Sequence, residues 1–141
     1  MFPSNRAWSR LSPDPAAIPF GRLSPAALAY LGDAVFELYV RASLLLPPRR
    51  IADYHQQVVS QVRAESQALF LQSLEADLTD QEQDIVRRGR NAAGPGPRRL
   101  APELYQQATG LETLLGYLYL HNPERLEVLL ARLPLSPPSP S

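Results

Sequence analysis

The chain has 141 residues, of which 45% are hydrophobic, which suffices for one domain with its own core. Its formal net charge of zero argues against a uniformly basic nucleic-acid binder. It has no cysteine, which excludes disulfides and thiolate metal ligands, so any bound metal should be a hard ion held by oxygen. No apolar run is long enough to span a bilayer, and residues 1–20 lack the apolar segment of a secretory signal, which predicts a soluble, cytoplasmic protein without membrane contact.

The first half of the chain is predicted to contain a Pro-rich tail over residues 1–22 and then two helical regions. Ser24 and Pro25 are typical of a helix start, and this first helix is predicted to end near Leu46, before two prolines. The second region covers about residues 52–74, with a break near residues 60–63.

The second half predicts three more helices, so we expect an all-α domain of about six helices over residues 23–133. Thr79 and Glu82 have the spacing of a capping box and open a helix that is predicted to end at Asn91. No segment has the alternation of a strand. The remaining segments are predicted as a loop over residues 92–102, helices over about 102–121 and 123–133, and a Pro/Ser-rich tail over 134–141.

Charged residues are strongly segregated along the chain. Residues 64–86 contain acids and no base, whereas residues 87–99 contain no acid and the arginines Arg87, Arg88, Arg90, Arg98 and Arg99. All fourteen basic residues are arginine, which codon bias can explain, although the guanidinium fork also suits bidentate contacts with phosphate. The arginine run is therefore either a phosphate-binding segment or a solvated charged loop.

Two acids, Asp33 and Glu112, stand in otherwise apolar helical runs. An ionised carboxylate on an apolar face is costly unless it has a hydrogen-bond partner, a counter-charge or a metal. Small residues such as Gly32 and Gly116 flank the two acids and leave space for a second helix or an ion. The pair suggests a divalent-cation site shared by two packed helices. For each acid alone, a solvated polar position beside glycines that only aid packing remains an alternative.

Glu37, one turn after Asp33, is a weaker candidate. Arg41 follows it by four residues, so an exposed ion pair worth roughly 0.2–0.5 kcal/mol accounts for it equally well. We favour the ion pair and keep Glu37 only as a supporting residue of the predicted site.

The ordered motifs of the chain resemble those of the ribonuclease III family, and most closely its short Mini-ribonuclease III members. Residues 29–41 (AYLGDAVFELYVR) are similar to the signature helix of the family, and residues 112–116 (ETLLG) are similar to its second acidic motif. Residues 88–92 (RGRNA) and 115–118 (LGYL) match the short members in particular. The resemblance spans about residues 23–133 and implies a ribonuclease III-like catalytic domain.

The resemblance implies that Asp33 and Glu112 are the catalytic carboxylates and that they bind Mg²⁺, for which Mn²⁺ can substitute. Full-length ribonuclease III has two further acids, at the positions that Ala26 and Thr109 occupy here. Water or RNA phosphate oxygens would then have to complete the coordination. The implied reaction is hydrolysis of double-stranded RNA by a homodimer, and in the short members the substrate is precursor large-subunit ribosomal RNA.

Full-length ribonuclease III also carries a separate domain that binds double-stranded RNA, whereas only residues 134–141 follow the last predicted helix. The arginine segment is our candidate to replace it, and a ribosomal protein that remodels the RNA is a further expected partner. We expect contacts with the RNA backbone from Arg87, Arg88, Arg90, Asn91, Arg98 and Arg99, with Arg90 and Asn91 first. Weaker candidates, for contacts with RNA 2′-hydroxyls, are Gln56, Gln57, Gln61 and Gln67.

Three other functions stay open. A non-catalytic ribonuclease III fold that binds RNA or the ribosome would explain Ala26 and Thr109, but it has no need of two costly carboxylates. An all-helical nucleotide pyrophosphohydrolase would carry several acids at helical spacing rather than single acids far apart. A helical protein-interaction domain would use its glycines for packing alone and would tolerate Asp33→Asn.

Overall fold

Six α-helices make up most of what the computed structural model describes, which is residue 18 and residues 20–135. No strand occurs in these residues, and the predicted all-α class with about six helices is confirmed. The tails predicted at residues 1–22 and 134–141 lie almost entirely outside them. The helices are α1 (Pro25–Ser43), α2 (Ile51–Val62), α3 (Ala64–Leu74), α4 (Asp80–Ala92), α5 (Pro102–His121) and α6 (Pro123–Ala131), with 3₁₀ turns at Phe20–Arg22 and Glu75–Asp77.

The helices begin at the capping residues that the sequence provides. The Ser24 hydroxyl accepts a hydrogen bond of 3.0 Å from the Ala27 N–H, and both halves of the Thr79–Glu82 capping box are present. Arg63 separates α2 from α3, because its extended ψ of 152° interrupts the helix where the sequence predicts a break. Both α1 and α6 end a few residues before the predicted positions, since a following proline ring clashes with a helical carbonyl four residues earlier.

The central helix is α5, which contacts α1, α3, α4 and α6. Its sequence is apolar on nearly all sides, as expected for a helix with neighbours around it. None of the helices in the described segments is long and apolar enough to cross a membrane. The fully buried side chains around α5 include Phe36, Leu71, Leu74, Leu111, Leu114, Leu115, Leu126, Leu129 and Leu130.

Two glycines let α1 and α5 cross in main-chain contact. A Cβ atom on Gly32 of α1 would overlap the carbonyl oxygen of Glu112. A Cβ atom on Gly116 of α5 would overlap the carbonyl oxygen of Leu28. Main-chain atoms rather than side chains therefore set the separation of the two helices at this point.

A buried ion pair joins α4 to α6. Arg125 donates to the two carboxylate oxygens of Glu82 at 2.8 and 2.9 Å and to the carbonyl oxygen of Asp77 at 2.7 Å. The hydrogen bond from Arg125 is the largest cause of the lowered pKa of Glu82, and the Thr79 N–H adds to it, so together they outweigh burial. The fold thus satisfies the charge of this acid completely.

Candidate active site

Asp33 and Glu112 meet where α1 crosses α5. Asp33 follows Gly32 directly, and Glu112 lies one turn before Gly116. The two acidic side chains hydrogen-bond to each other, and both line a cavity of about 230 Å³. The structure therefore brings together the two acids that the sequence singles out. The other residues that line this acid cavity are Ala26, Ala29, Tyr30, Ala92, Ala93, Tyr105 and Thr109.

Burial and the neighbouring acid make the Glu112 carboxylate costly to ionise. Removal from water is the largest cause that raises the pKa of Glu112 from 4.5 to about 8, and the hydrogen bond to Asp33 and its negative charge act in the same direction. A hydrogen bond from the Gln67 side chain opposes the change. When both acids are ionised, the pair places two like charges side by side, an arrangement that a bound cation would stabilise.

The donor set suits a small divalent cation. Two carboxylates in contact supply the hard oxygen ligands that Mg²⁺ and Mn²⁺ prefer. Ala26 and Thr109, where full-length ribonuclease III has acids, line the same cavity, and the described residues contain no cluster of three or more His, Cys, Asp or Glu side chains. Because Mg²⁺ keeps several waters and also takes phosphate oxygens, two protein ligands are enough for such a site.

The three arginines predicted on α4 contact other residues of the protein, two of them through ion pairs. Arg87 and Arg88 both form ion pairs with Asp84, one turn earlier on the same helix, and the Arg88 pair measures 2.9 Å. The side-chain stem of Arg90 lies over Gly110 of α5. Arg87 and Arg90 also line a second cavity, of about 310 Å³, between the end of α3 and α4. All three remain exposed enough to contact a ligand.

The rest of the predicted RNA-contacting set lies at the end of α4 and in the loop before α5. Asn91, Arg98 and Arg99 are exposed. In the same loop, Gly96 has a positive φ of 74°, and a Cβ atom there would come within 2.5 Å of the Tyr105 ring. Since Tyr105 lines the acid cavity, the arginine-bearing loop packs against the cavity wall.

Glu37 has a partner of its own outside the acid pair. Its carboxylate lies 3.3 Å from the Arg41 guanidinium, and the two side chains are 42% and 62% exposed, respectively. Glu37 is not among the residues that line the acid cavity. Its surroundings are those of the exposed i,i+4 ion pair.

Two residues at the site, Tyr30 and Tyr105, were missed by the sequence reasoning, and Gln67 was expected only as a weak contact with RNA 2′-hydroxyls, whereas its side chain is buried and interacts with Glu112. The two tyrosines could have been found from spacing, because they precede the acids by three and seven residues and so share a helix face with them. For Gln67 no comparable signal exists. Nothing local distinguishes it from the other glutamines of α2 and α3, and its contact with Glu112 arises only when α3 packs on α5.

Comparison with known proteins identifies the family. Residues 26–123, which include both acids, match the ribonuclease III domain. The chain belongs to the ribonuclease III domain family. It is similar to the Mini-ribonuclease 3 of Synechocystis sp., with 64% identity over 118 residues that cover 84% of this chain and 82% of the relative. It is also similar to the Mini-ribonuclease 3 of Synechococcus sp., with 61% identity over 127 residues, or 90% and 89% of the two chains.

A solved structure has a similar fold. The X-ray crystal structure of a protein from Fusobacterium nucleatum aligns with a TM-score of 0.72 and 30% identity, covering 78% of this chain and 91% of that one. With the family match, this confirms the predicted ribonuclease III-like fold. The relatives named above likewise confirm the resemblance to the short Mini-ribonuclease III members.

Proposed function

We propose that the protein is an endoribonuclease that uses a divalent cation to hydrolyse phosphodiester bonds in double-stranded RNA. The observation that carries this proposal is the contact between Asp33 and Glu112 at a main-chain helix crossing, in a chain of the ribonuclease III domain family. Both relatives described above are named ribonucleases. Two acids in contact cost folding free energy, and binding a cation for catalysis accounts for that cost.

Mg²⁺ is the proposed cofactor, with Mn²⁺ as a substitute, and Asp33 and Glu112 are its proposed ligands. When bound, such a cation lowers the pKa of water and offsets the charge that develops on the phosphate. Asp33 is exposed and Glu112 is only partly so. We infer that Asp33 is the acid nearer to the RNA and that Glu112 lies deeper in the site.

In the proposed reaction, the protein holds the two acids in place and supplies no nucleophile of its own. The Gly32–Gly116 crossing fixes the two acid-bearing main chains relative to each other, which keeps both carboxylates at one place for an incoming phosphate. The Thr109 hydroxyl in the cavity donates to the Tyr105 carbonyl oxygen at 3.0 Å, so it is engaged rather than available as a nucleophile. Water is the nucleophile we propose, without a covalent intermediate.

We propose that Arg90, Asn91, Arg98 and Arg99 contact RNA phosphates, supported by Arg87 and Arg88. Asn91 directly precedes residues that line the acid cavity, and the loop packs against Tyr105 of its wall. A-form RNA exposes little base identity to side chains, so such backbone contacts would select the duplex by its shape. A local arginine cluster can serve this purpose in a chain without net positive charge.

We also propose that the protein acts as a homodimer. Tyr30 is 86% exposed although it is a large aromatic residue on the wall of the acid cavity. Aromatic residues with such exposure are typical of interfaces. Two acid pairs related by a two-fold axis would address the two strands of one duplex.

The natural substrate we propose is precursor large-subunit ribosomal RNA in the cytoplasm, with a ribosomal protein as a further partner. These finer points rest on the resemblance to the short Mini-ribonuclease III members. Mapping the ends of large-subunit ribosomal RNA in cells that lack the gene tests them. Mature ends at normal abundance would contradict this substrate and leave the reaction itself untouched.

The first experiment incubates the protein with long double-stranded RNA, with and without Mg²⁺, and resolves the products on a denaturing gel. We expect cleavage that requires the cation and is lost in Asp33→Asn. Asp53→Asn is the matched control, because Asp53 is an exposed helical aspartate that pairs with Arg50, and it should cleave as the wild type does. Equal cleavage by Asp33→Asn would contradict the proposed site.

A second experiment tests the RNA-contact assignment. Arg90→Ala should weaken RNA binding and flatten its dependence on salt concentration, because each lost phosphate contact releases about one counterion fewer. Arg63→Ala provides an exposed arginine on the α2–α3 connection as control. An unchanged salt slope in Arg90→Ala would contradict a phosphate contact at this position.

A non-catalytic RNA-binding module is the second candidate. Ala26 and Thr109 line the acid cavity, which leaves only two acids where the family pattern has more. The cleavage assay separates the two functions, because RNA binding without cleavage by the wild type in Mg²⁺ or Mn²⁺ would favour the module.

A further inference from the structure

Gln67 lies in the first turn of α3 and connects it to both neighbouring helices. Its side chain is almost fully buried, since the residue is 3% exposed. Its Nε2 donates to the carbonyl oxygen of Val62, the last residue of α2, at 3.0 Å. Its side chain also hydrogen-bonds Glu112 of α5. Because this contact favours the ionised form of Glu112, the amide group acts as a donor toward it, as it does toward Val62.

These two contacts fix the orientation of the Gln67 amide. Rotating the amide by half a turn would place its oxygen against two other oxygens, the Val62 carbonyl and the Glu112 carboxylate. The Val62 carbonyl is part of the main chain, so it holds the amide independently of the acid pair. Gln67 therefore presents a preoriented donor to Glu112 from within the core.

We propose that Gln67 is a positioning residue, whose buried amide holds the Glu112 carboxylate beside Asp33 so that the two acids can bind one cation. The inference rests on the proposed function. A glutamate side chain has several rotatable bonds, and confining them on cation binding costs conformational entropy. A hydrogen bond that already confines them lowers this cost, as outer partners of metal ligands do in other proteins.

The principal test replaces Gln67 with methionine, which keeps the length of the side chain and removes the donor. We expect the Mg²⁺ concentration for half-maximal cleavage to rise about 10- to 100-fold and kcat at moderate Mg²⁺ to fall, while KM for RNA stays within about twofold. Gln107→Met is the matched control, since Gln107 is a half-buried glutamine of α5 that does not line the acid cavity. A purely structural role would lower the unfolding temperature alone, and wild-type Mg²⁺ dependence in Gln67→Met would overturn the proposal.

A second variant makes the test independent of cleavage. Gln67→Glu keeps the shape of the side chain, removes the donor and adds a third carboxylate to the pair. In titrations without RNA, we expect Mg²⁺ to raise its unfolding temperature more than that of the wild type, and to raise that of Gln67→Met less. Shifts of equal size in the two variants would contradict a role of Gln67 toward the cation.

A metal-free double-mutant cycle separates this inference from the proposed function. Gln67→Met should lower the denaturation midpoint more in the wild-type background than in Glu112→Met, because the hydrogen bond exists only in the former. Additive effects would overturn the inference whatever the protein catalyses. A wild type that neither cleaves RNA nor responds to Mg²⁺ would contradict the proposed function itself. If the control variant changed the response to Mg²⁺ and the Gln67 variants did not, only the role of Gln67 would be contradicted.

Discussion

Glu82 and Glu112 are both glutamates of helices that pack into the same domain, yet the fold treats their charges in opposite ways. Glu82 receives two hydrogen bonds from Arg125 and one from the Thr79 N–H, and its pKa is lowered. Glu112 contacts another acid, and burial and Asp33 raise its pKa to about 8. An acid that the fold satisfies contributes to stability, whereas an acid left beside another acid is suited to bind something positive.

The positions of the two residues within their helices explain part of this difference. Glu82 lies in the first turn of α4, where unpaired N–H groups and the helix dipole favour a carboxylate. Glu112 lies in the middle of α5, where the backbone N–H groups are already used within the helix. Its partners must therefore come from other helices, and they are Asp33 and Gln67.

The largest expected effect is on cleavage by Glu112→Gln. Replacing one of two proposed cation ligands with an amide should reduce Mg²⁺-dependent cleavage about 10³-fold, which corresponds to about 4 kcal/mol of lost transition-state stabilisation. Without metal, its free energy of unfolding should be unchanged or higher at neutral pH, because an acid whose pKa the fold raises from 4.5 to about 8 costs folding free energy there. Single-turnover cleavage and urea denaturation measure the two quantities. A marked loss of stability without loss of cleavage would reverse the roles we assign to Glu112 and Glu82.

Gly32→Ala should be the most damaging to the fold. The new methyl group would overlap the Glu112 carbonyl oxygen, and since main chain cannot yield as a side chain can, we expect a loss of about 3 kcal/mol. Gly94→Ala is the control, because Gly94 has a positive φ of 71° but nothing within 4 Å of an added Cβ atom, so it should cost only about 1 kcal/mol. Equal midpoints for the two variants in urea would show that the crossing is looser than the structure indicates.

Glu82→Gln should have the opposite profile to Glu112→Gln. It weakens the bidentate pair and leaves the Arg125 charge partly buried, so we expect a loss of about 2–3 kcal/mol of stability. Cleavage measured well below the unfolding temperature should stay within about twofold of wild type, because Glu82 does not line the acid cavity. A loss of cleavage in folded Glu82→Gln would contradict the division between the two acids.

Acidification should remove the contribution of Glu82 in a defined range of pH. Its pKa in the folded protein is lowered from 4.5, so the unfolded chain binds the proton first, and the stabilisation is full above about pH 4.5 and is lost as the pH falls through the folded value. The stability difference between wild type and Glu82→Gln should therefore shrink in acid. Urea denaturation at neutral pH, pH 4.5 and pH 3 measures it, and a constant difference would argue against an ionised Glu82.

Glu37→Ala should have the smallest effect. Its ion pair with Arg41 is exposed, so we expect about 0.2–0.5 kcal/mol of lost stability. Cleavage should change less than twofold. A loss of cleavage comparable to that of Asp33→Asn would make Glu37 a member of the site rather than a surface residue.

The helices could be predicted from the sequence because their boundaries depend on local chemistry. Ser24 and Thr79 cap helices within three residues of themselves, and Pro102 and Pro123 open α5 and α6 at the expected positions. The acid pair could be predicted as well, since an acid in an apolar run with small neighbours is unusual in any single helix.

The partners of these acids could not be predicted, because they are distant in sequence. The capping box of Glu82 is local, but Arg125 lies 43 residues away on another helix. The Gln67 contact with Glu112 likewise depends on how α3 packs against α5. The pairing of Arg87 and Arg88 with Asp84 is local, and the i,i+3 and i,i+4 spacing could have predicted it.

The contact of Gly32 with the Glu112 carbonyl and of Gly116 with the Leu28 carbonyl also bears on how the domain can be engineered. Leucine side chains fill the interior around α5, and exchanging them for other apolar residues alters packing without touching these carbonyls. The spacing of the two acids is thereby insulated from changes elsewhere in the interior. Redesigning the leucines could therefore raise the unfolding temperature of the domain, and the proposed active site would keep its dimensions as long as the two glycines stay.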